Sequence, residues 1–170
     1  MLGKQIHRTI SKLKWENFCA HPKSYSPSLV HEFYANLYDQ DLEFIFVREG
    51  LLPWDANIIN ELYKLIVDVD EHTNFFAEVT DEKRDLLIQD LCIEGVGMIG
   101  SNPKNFRMHR RLLTLHRNIW FHFANCKLLP STHSTTVNLD RICLIHSIIK
   151  SRKIDVGEIL HHEITECAAW

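Results

Sequence analysis

The clearest structural signal in the chain is the stretch SPSLVHEFYANLY, which covers residues 26–38. Ser26 suits the N-cap of a helix, and Pro27 suits the first helical position, because the amide hydrogen that proline lacks has no partner there. Apolar side chains then recur at helical spacing, at Leu29, Val30, Phe33, Tyr34 and Leu37. The stretch therefore predicts an amphipathic helix from residue 27 to about residue 38.

The pattern changes after this helix. Residues 42–47 are rich in β-branched and aromatic side chains, and Gly50 precedes the run LLPW at residues 51–54. This pattern predicts a short β-hairpin that turns near residues 48–50, with Gly50 in the positive-φ position. Pro53 lacks an amide hydrogen and therefore confines the second strand to an edge.

Apolar spacing and capping residues predict six further helices, at about residues 7–19, 56–67, 80–92, 106–127, 139–150 and 155–167. The predicted N-caps of four of them are Asp55, Thr80, Asn138 or Thr136, and Asp155. Residues 68–79 are polar and aperiodic, so a loop is predicted there. The expected fold is mainly α, a single-domain bundle over residues 1–170 with about seven helices and one small β-hairpin.

The apolar stripes of these helices define a predicted core. Full burial of a large aliphatic or aromatic side chain stabilises the fold by roughly 1.5–3 kcal/mol. Truncating Phe33 or Leu115 to alanine is therefore expected to cost about 2–5 kcal/mol. The predicted core residues are Leu29, Phe33, Leu37, Ile59, Leu62, Leu112, Leu115, Ile119, Ile142 and Ile145.

Length and composition restrict the class of protein. A chain of 170 residues with 45% hydrophobic and 24% charged residues can bury its own core as one domain. Its five cysteines are irregularly spaced without a CxxC pair, which favours reduced, packed thiols in an intracellular protein. The N-terminus lacks the apolar segment of a secretory signal, and no apolar run is long enough to span a bilayer. We expect a nuclear or cytoplasmic protein without membrane contact.

Charge is distributed unevenly along the chain. The formal charge is +4 over residues 1–30, −12 over 31–94, +6 over 95–139 and −1 over 140–170. Either these segments neutralise one another within the fold, or the basic residues form a surface strip that contacts phosphates without reading sequence. The candidate nucleic-acid-binding residues of this strip, over 104–117, are Lys104, Arg107, Arg110, Arg111 and Arg117.

No motif predicts catalysis or a bound cofactor. Residues 95–100 fit G-x-G-x-x-G, but a helical pattern precedes them and no acidic residue follows before Leu139. The acidic run that begins at Asp68 has threonine where a calcium-binding EF-hand loop needs glycine. His162 and Glu166 fit an ordinary i, i+4 helical pair better than a metal site. We expect no enzymatic activity, no catalytic residue, no metal and no cofactor.

Several short runs carry a resemblance to a known family. They are WENFCAHP at 15–22, FVR at 46–48, PWDA at 53–56, WFHF at 120–123, LLPSTH at 128–133 and IDVG at 154–157. In this order they resemble the plant transposon protein domain, a plant mobile-element-derived domain family, over nearly the whole chain. The chain departs from the family pattern at Glu49, where glycine is usual, and near Gly97, where a tryptophan is often found.

The resemblance implies a helical domain of undefined activity, with no catalytic motif to carry over. We therefore predict a retrotransposon-derived, non-catalytic interaction module that acts through protein–protein contacts, with a protein partner or self-association. The alternative is a nucleic-acid-binding accessory protein that uses the basic strip over residues 104–117.

Overall fold

The computed structural model describes residues 2–20, 24–37, 42–93, 106–131 and 135–168. These residues form nine α-helices and two small antiparallel sheets, so the predicted mainly α fold is confirmed. The backbone groups into two compact units, and each is described by itself. The first unit comprises residues 1–13 and 68–154, and the second comprises residues 14–67 and 155–170. The single-domain organisation stays a prediction.

The second unit contains four helices and the predicted hairpin. Its helices are α2 (Glu16–Cys19), α3 (Pro27–Asn36), α4 (Ala56–Tyr63) and α9 (Val156–Ala168), and its strands are β1 (Phe44–Val47) and β2 (Gly50–Pro53). Helix α4 packs on α9, and α3 packs against β1. Leu37, Ile45, Trp54 and Ile59 form a buried cluster in this unit.

The hairpin turn differs from the prediction. Val47 pairs with Gly50, so only Arg48 and Glu49 form the turn. Both have positive φ, at 50° and 63°, and Gly50 does not. Positive φ at both central residues defines a type I′ turn, whose twist matches that of the flanking strands. The conformation is costly for residues other than glycine. Contacts with Glu32 of α3 offset the cost, because its carboxylate accepts the Arg48 N–H at 2.8 Å and pairs with the guanidinium at 3.3 Å.

Helices α4 and α9 approach most closely at Gly157. A Cβ at this position would collide with the backbone oxygen of Ala56 and would lie 2.6 Å from Asn60 Nδ2. The buried Asn60 amide accepts the Gly157 N–H at 2.9 Å and donates to Asp155 Oδ1 at 2.8 Å. Asp155, the predicted N-cap, also accepts the Glu158 N–H at 2.9 Å. The absence of a side chain at Gly157 is therefore what allows this hydrogen-bonded contact.

The first unit is built around one buried helix. Its helices are α1 (Leu2–Leu13), α5 (Glu71–Ala77), α6 (Asp81–Leu91), α7 (Leu115–Lys127) and α8 (Leu139–Lys150). A second sheet pairs β3 (Arg107–His109) with β4 (Thr136–Asn138), and a 3₁₀ turn covers Arg110–Leu112. Residues 142–148 of α8 are all buried, and α8 contacts α1, α5, α6, α7 and β4. A helix buried on every side is the expected centre of such a core.

Helix α5 lies where the sequence predicts a loop. Asp70 caps it, because its Oδ1 accepts the N–H groups of His72 and Thr73 at 3.0 and 3.2 Å. The ring of Phe75 stacks on His146 of α8, with ring centroids 5.3 Å apart. This contact joins residues that are distant in the sequence, so the local apolar pattern gave no indication of it.

Two other predicted helices have different bounds. The helix predicted over residues 7–19 is interrupted at Lys14, whose φ is 57°. The helix predicted over residues 106–127 begins only at Leu115, because residues 107–109 pair with β4. The break at Lys14 and the additional helix α5 account for nine α-helices in the described residues, against about seven predicted.

The predicted core is confirmed in part. Four predicted members are buried: Leu37, Ile59, Ile142 and Ile145. Three are half-buried: Phe33, Leu112 and Ile119. The prediction is wrong for three exposed residues: Leu29, Leu62 and Leu115. Leu115 is 73% exposed because it is the first residue of α7 and not a residue inside a longer helix.

Candidate functional site

The predicted basic strip does not lie on one helix. Lys104 lies outside the described residues. Arg107 belongs to β3, Arg110 and Arg111 to the 3₁₀ turn, and Arg117 to α7. Arg107 and Arg111 are exposed, whereas Arg110 is half-buried. Among the described residues of the strip, these arginines therefore face different surroundings.

Arg117 is engaged in a cluster of charges within the first unit. Its Nη2 lies 3.8 Å from Asp90 Oδ1, and its Nη1 donates to Thr114 Oγ1 at 3.3 Å. Lys150 Nζ lies 3.1 Å from Asp90 Oδ2. Partial burial alone would raise the pKa of Asp90, but the neighbouring Lys150, His146 and Arg117 lower it. Arg117 therefore has a carboxylate partner inside the fold and is less suited to bind a phosphate.

His146 lies beside this cluster. The Arg152 guanidinium donates to His146 Nδ1 at 2.9 Å and lies 3.9 Å from the centroid of the Phe75 ring. His146 Nε2 lies 3.5 Å from Asp90 Oδ2. Burial, followed by the charges of Arg152 and Lys150, lowers the pKa of His146 to about 4, although Asp90 acts in the opposite direction. The neutral imidazole is therefore the form that this environment stabilises.

We expect the stability of the protein to fall as the pH falls from about 6.5 to about 4. The unfolded chain binds a proton at His146 near pH 6.5, whereas the folded chain resists it until about pH 4. The loss amounts to at most about 3 kcal/mol over this window. Urea unfolding at a series of pH values measures it.

The control variants for this prediction are His146→Gln and His122→Gln. His146→Gln should flatten the pH dependence, leaving the smaller contributions of His72 and His116, whose pKa values burial also lowers. His122 is exposed, so His122→Gln should keep the wild-type slope. An equal slope in wild type and His146→Gln would contradict the assignment.

The second unit exposes one apolar face of its hairpin. Strand pairing sets Phe44 opposite Pro53 and Phe46 opposite Leu51, so these four side chains lie on the same face. Phe44, Phe46 and Leu51 are 49%, 51% and 71% exposed, and Pro53 is exposed too. On the opposite face Ile45 is fully buried, whereas its partner Leu52 is 42% exposed. We call the four exposed residues the apolar hairpin face.

A groove of about 380 Å³ adjoins this face. It is lined by Leu42, Glu43, Phe44, Pro53, Trp54, Asp55 and His161. The Trp54 and His161 rings lie 5.2 Å apart. Carboxylates beside aromatic rings form an environment that suits a cationic side chain. Asp55 also caps α4, because its Oδ1 accepts the Ile58 N–H at 2.8 Å, so the predicted cap is confirmed.

The other candidate residues for chemistry either contact neighbouring side chains or lie outside the described residues. Trp120 Nε1 donates to His116 Nε2 at 3.3 Å, and the Cys126 sulfur lies 3.7 Å from His122 Nε2. The glycine-rich residues 95–100 and His133 lie outside the described residues. Within the described ranges, no group of His, Cys, Asp and Glu side chains is arranged to hold a metal ion. No described helix is long and apolar enough to cross a membrane.

The five thiols differ in exposure, and Cys19 is half-buried. Cys92 and Cys143 are buried, and burial raises the pKa of Cys143 to about 12 and raises the pKa of Cys92 as well. These two thiols therefore resist ionisation and pack as small apolar groups. Cys126 and Cys167 are exposed, so the predicted packing role is wrong for them.

The fold and these surfaces define a mainly α-helical module with an exposed apolar hairpin. A family model described as "Putative plant retrotransposon-related domain" matches residues 11–169, so the chain belongs to this plant retrotransposon-related family. The resemblance to a plant mobile-element-derived family is thereby confirmed. No curated protein and no solved structure matches the chain.

Proposed function

We propose that the chain is a non-catalytic interaction module, derived from a mobile element, that binds a protein partner through the apolar hairpin face. The observation that carries the proposal is the exposure of four apolar side chains on one face of a two-stranded sheet. Soluble proteins expose scattered apolar residues, whereas apolar side chains grouped on one face are typical of interaction surfaces. We further propose that the module acts inside the cell, in the nucleus or cytoplasm.

Charge favours a basic partner. The second unit contains twelve acidic and four basic residues, a formal charge of −8. Glu43 and Asp55 line the groove beside the apolar hairpin face. A segment with lysine or arginine next to apolar side chains complements this surface in both respects. The second unit of another copy fits it less well, because two units of the same sign would repel each other.

The free edge of the hairpin favours an extended partner segment. The outer edge of β1 is covered by α3, where Asn36 Nδ2 donates to the Phe46 carbonyl at 2.6 Å. No strand pairs with the outer edge of β2 in the described part of the chain. Because Val47 and Gly50 close the two-residue turn, the N–H and C=O groups of Leu51 point away from β1. A strand added to β2 would use these groups and place alternate side chains on the apolar hairpin face.

We expect a labelled peptide of alternating leucine and lysine to bind the wild-type protein and to bind the double variant Phe46→Ser/Leu51→Ser at least about tenfold more weakly. The two substitutions remove apolar contacts, each of which contributes more than about 1 kcal/mol when fully buried. Fluorescence anisotropy measures the affinity. Both side chains are largely exposed, so the variant should unfold at nearly the wild-type urea concentration.

The matched control is Leu86→Ser/Leu115→Ser, which removes two exposed leucines from the first unit. It should bind the leucine–lysine peptide like the wild type. A peptide of alternating leucine and glutamate should bind more weakly than the leucine–lysine peptide, because it carries the charge sign of the second unit. Equal binding by both double variants would overturn the proposed surface.

Nucleic-acid binding through the strip 104–117 has less support. Arg117 pairs with Asp90, and Arg110 is half-buried. The arginines that remain exposed on the strip are Arg107 and Arg111 in the described part of the chain. Two phosphate contacts give much weaker binding than the five counted from the sequence.

A further inference from the structure

A small cavity in the first unit lies where β3, β4 and the start of α8 meet. It has a volume of about 80 Å³, and its lining consists of Arg107, Ser131, Thr136, Asn138 and Arg141. The described lining thus combines two guanidinium groups, two hydroxyl groups and one amide, without a carboxylate. The volume accommodates a few water molecules or one tetrahedral oxyanion.

The guanidinium of Arg141 is held in place by neutral groups. Its Nε donates to Asn125 Oδ1 at 2.7 Å, its Nη1 to Asn138 Oδ1 at 3.2 Å, and its Nη2 to the Leu129 carbonyl at 3.1 Å. Within the described residues, three of its five N–H groups are used in this way, which leaves two for another acceptor. The nearest acidic side chain in the sequence, Asp140, accepts a hydrogen bond from Asn138 Nδ2 instead.

The positive charge of Arg141 is therefore not compensated by an ion pair in the described residues. A half-buried cation without a counter-charge loses hydration and gains little in return. Three hydrogen bonds to neutral oxygens fix its orientation without neutralising it. A bound anion would supply the missing charge.

Arg107 provides a second guanidinium in the lining of the cavity. Strand pairing sets Arg107 opposite Asn138 and His109 opposite Thr136, so these side chains share one face of the β3–β4 sheet. Met108 and Val137 occupy the opposite, buried face. Arg107 is exposed and forms no ion pair with any described residue. The sheet thus presents the exposed guanidinium of Arg107 to the same cavity as the fixed guanidinium of Arg141.

We propose that this cavity binds a phosphate group between the guanidinium groups of Arg107 and Arg141. Guanidinium forks match the oxygens of phosphate in pairs, and hydroxyl and amide groups complete the hydrogen bonding. The same chemistry serves free phosphate and the backbone phosphate of a nucleic acid. The site is separate from the apolar hairpin face, and its test does not depend on the proposed protein partner.

The test titrates inorganic phosphate into the wild-type protein and into Arg107→Gln, with calorimetry or phosphorus NMR as the readout. We expect saturable binding to the wild type and at least about tenfold weaker binding to Arg107→Gln. Arg107 has no ion-pair partner among the described residues, so this variant should keep the wild-type stability. Arg141→Lys keeps the charge but loses the planar fork, and it should also weaken binding.

The matched control is Arg111→Gln, which removes an exposed charge nearby that does not line the cavity. It should bind inorganic phosphate within about twofold of the wild type, because local charge alone contributes little at ordinary salt. A labelled oligothymidylate then distinguishes the two sources. Binding that inorganic phosphate competes away and that Arg107→Gln weakens indicates backbone phosphate, whereas phosphate binding without oligothymidylate binding indicates free phosphate. No saturable phosphate binding, or equal affinity in wild type and Arg107→Gln, would overturn the proposal.

Discussion

Replacing Ile145 with alanine is expected to lower the free energy of unfolding by about 2–5 kcal/mol. Ile145 lies in the middle of α8 and is fully buried, and its neighbours in the run 142–148 are buried as well. Because α8 is packed against helices on several sides, the surrounding side chains cannot collapse into the space that a smaller residue leaves. Urea unfolding followed by far-UV circular dichroism measures the change.

The matched control is Leu115→Ala, which also shortens a large aliphatic side chain. The apolar pattern of the sequence placed both residues in the core, but Leu115 is 73% exposed. Its replacement should change the free energy of unfolding by no more than about 0.5 kcal/mol. If the free energy of unfolding fell by a similar amount in the two variants, burial in α8 would not explain the effect of Ile145→Ala.

Local capping was the most predictable part of the fold. Asp55, Thr80 and Asn138 each accept a backbone N–H three residues further along, as the sequence predicts, whereas Ser26 lies at the N-cap of α3 without a side-chain capping hydrogen bond. A cap involves a side chain and a backbone group within one turn, so the information lies in adjacent residues. The bounds of α8 agree with the predicted 139–150 for the same reason.

Features that depend on distant residues were predicted poorly. Residues 68–79 read as a loop, yet α5 forms there because Phe75 stacks on His146 and on the Arg152 guanidinium. The sequence predicts a positive φ at Gly50, yet Arg48 and Glu49 take the left-handed conformation, and Glu32 supports Arg48. In both cases a tertiary contact outweighs a local preference.

The candidate sites, too, depend on residues that are distant in the sequence. The sequence predicts Arg107 as a phosphate-binding residue because it belongs to a cluster of basic residues. It does not predict Arg141, because the neutral partners of Arg141, Asn125 and the Leu129 carbonyl, are known only from the fold. For the apolar hairpin face, the sequence predicts two short strands but not which of their side chains are exposed. Its exposure depends on which face the rest of the second unit covers, and strand alternation alone does not say which face that is.

Replacing Gly157 with alanine is expected to lower the free energy of unfolding by about 2–6 kcal/mol. The new methyl group would overlap the Ala56 carbonyl oxygen, so α4 and α9 would have to move apart. That movement would stretch the hydrogen bond between Gly157 N–H and Asn60 Oδ1, and a buried amide that loses its partner costs about 1–3 kcal/mol. Overpacking adds a cost of about 1–3 kcal/mol. Urea unfolding followed by circular dichroism measures the sum.

Gly3→Ala provides the matched control, because a Cβ at Gly3 meets no atom within 4 Å and the residue lies in α1. Alanine favours helix over glycine, so this variant should be unchanged or more stable by up to about 1 kcal/mol. The same chemical change thus has opposite effects at two helical glycines, and only the packing of α4 on α9 distinguishes them. A decrease in the free energy of unfolding of less than about 0.5 kcal/mol for Gly157→Ala would contradict this prediction. It would mean that α4 and α9 can move apart without losing the hydrogen bond between the Gly157 N–H and Asn60.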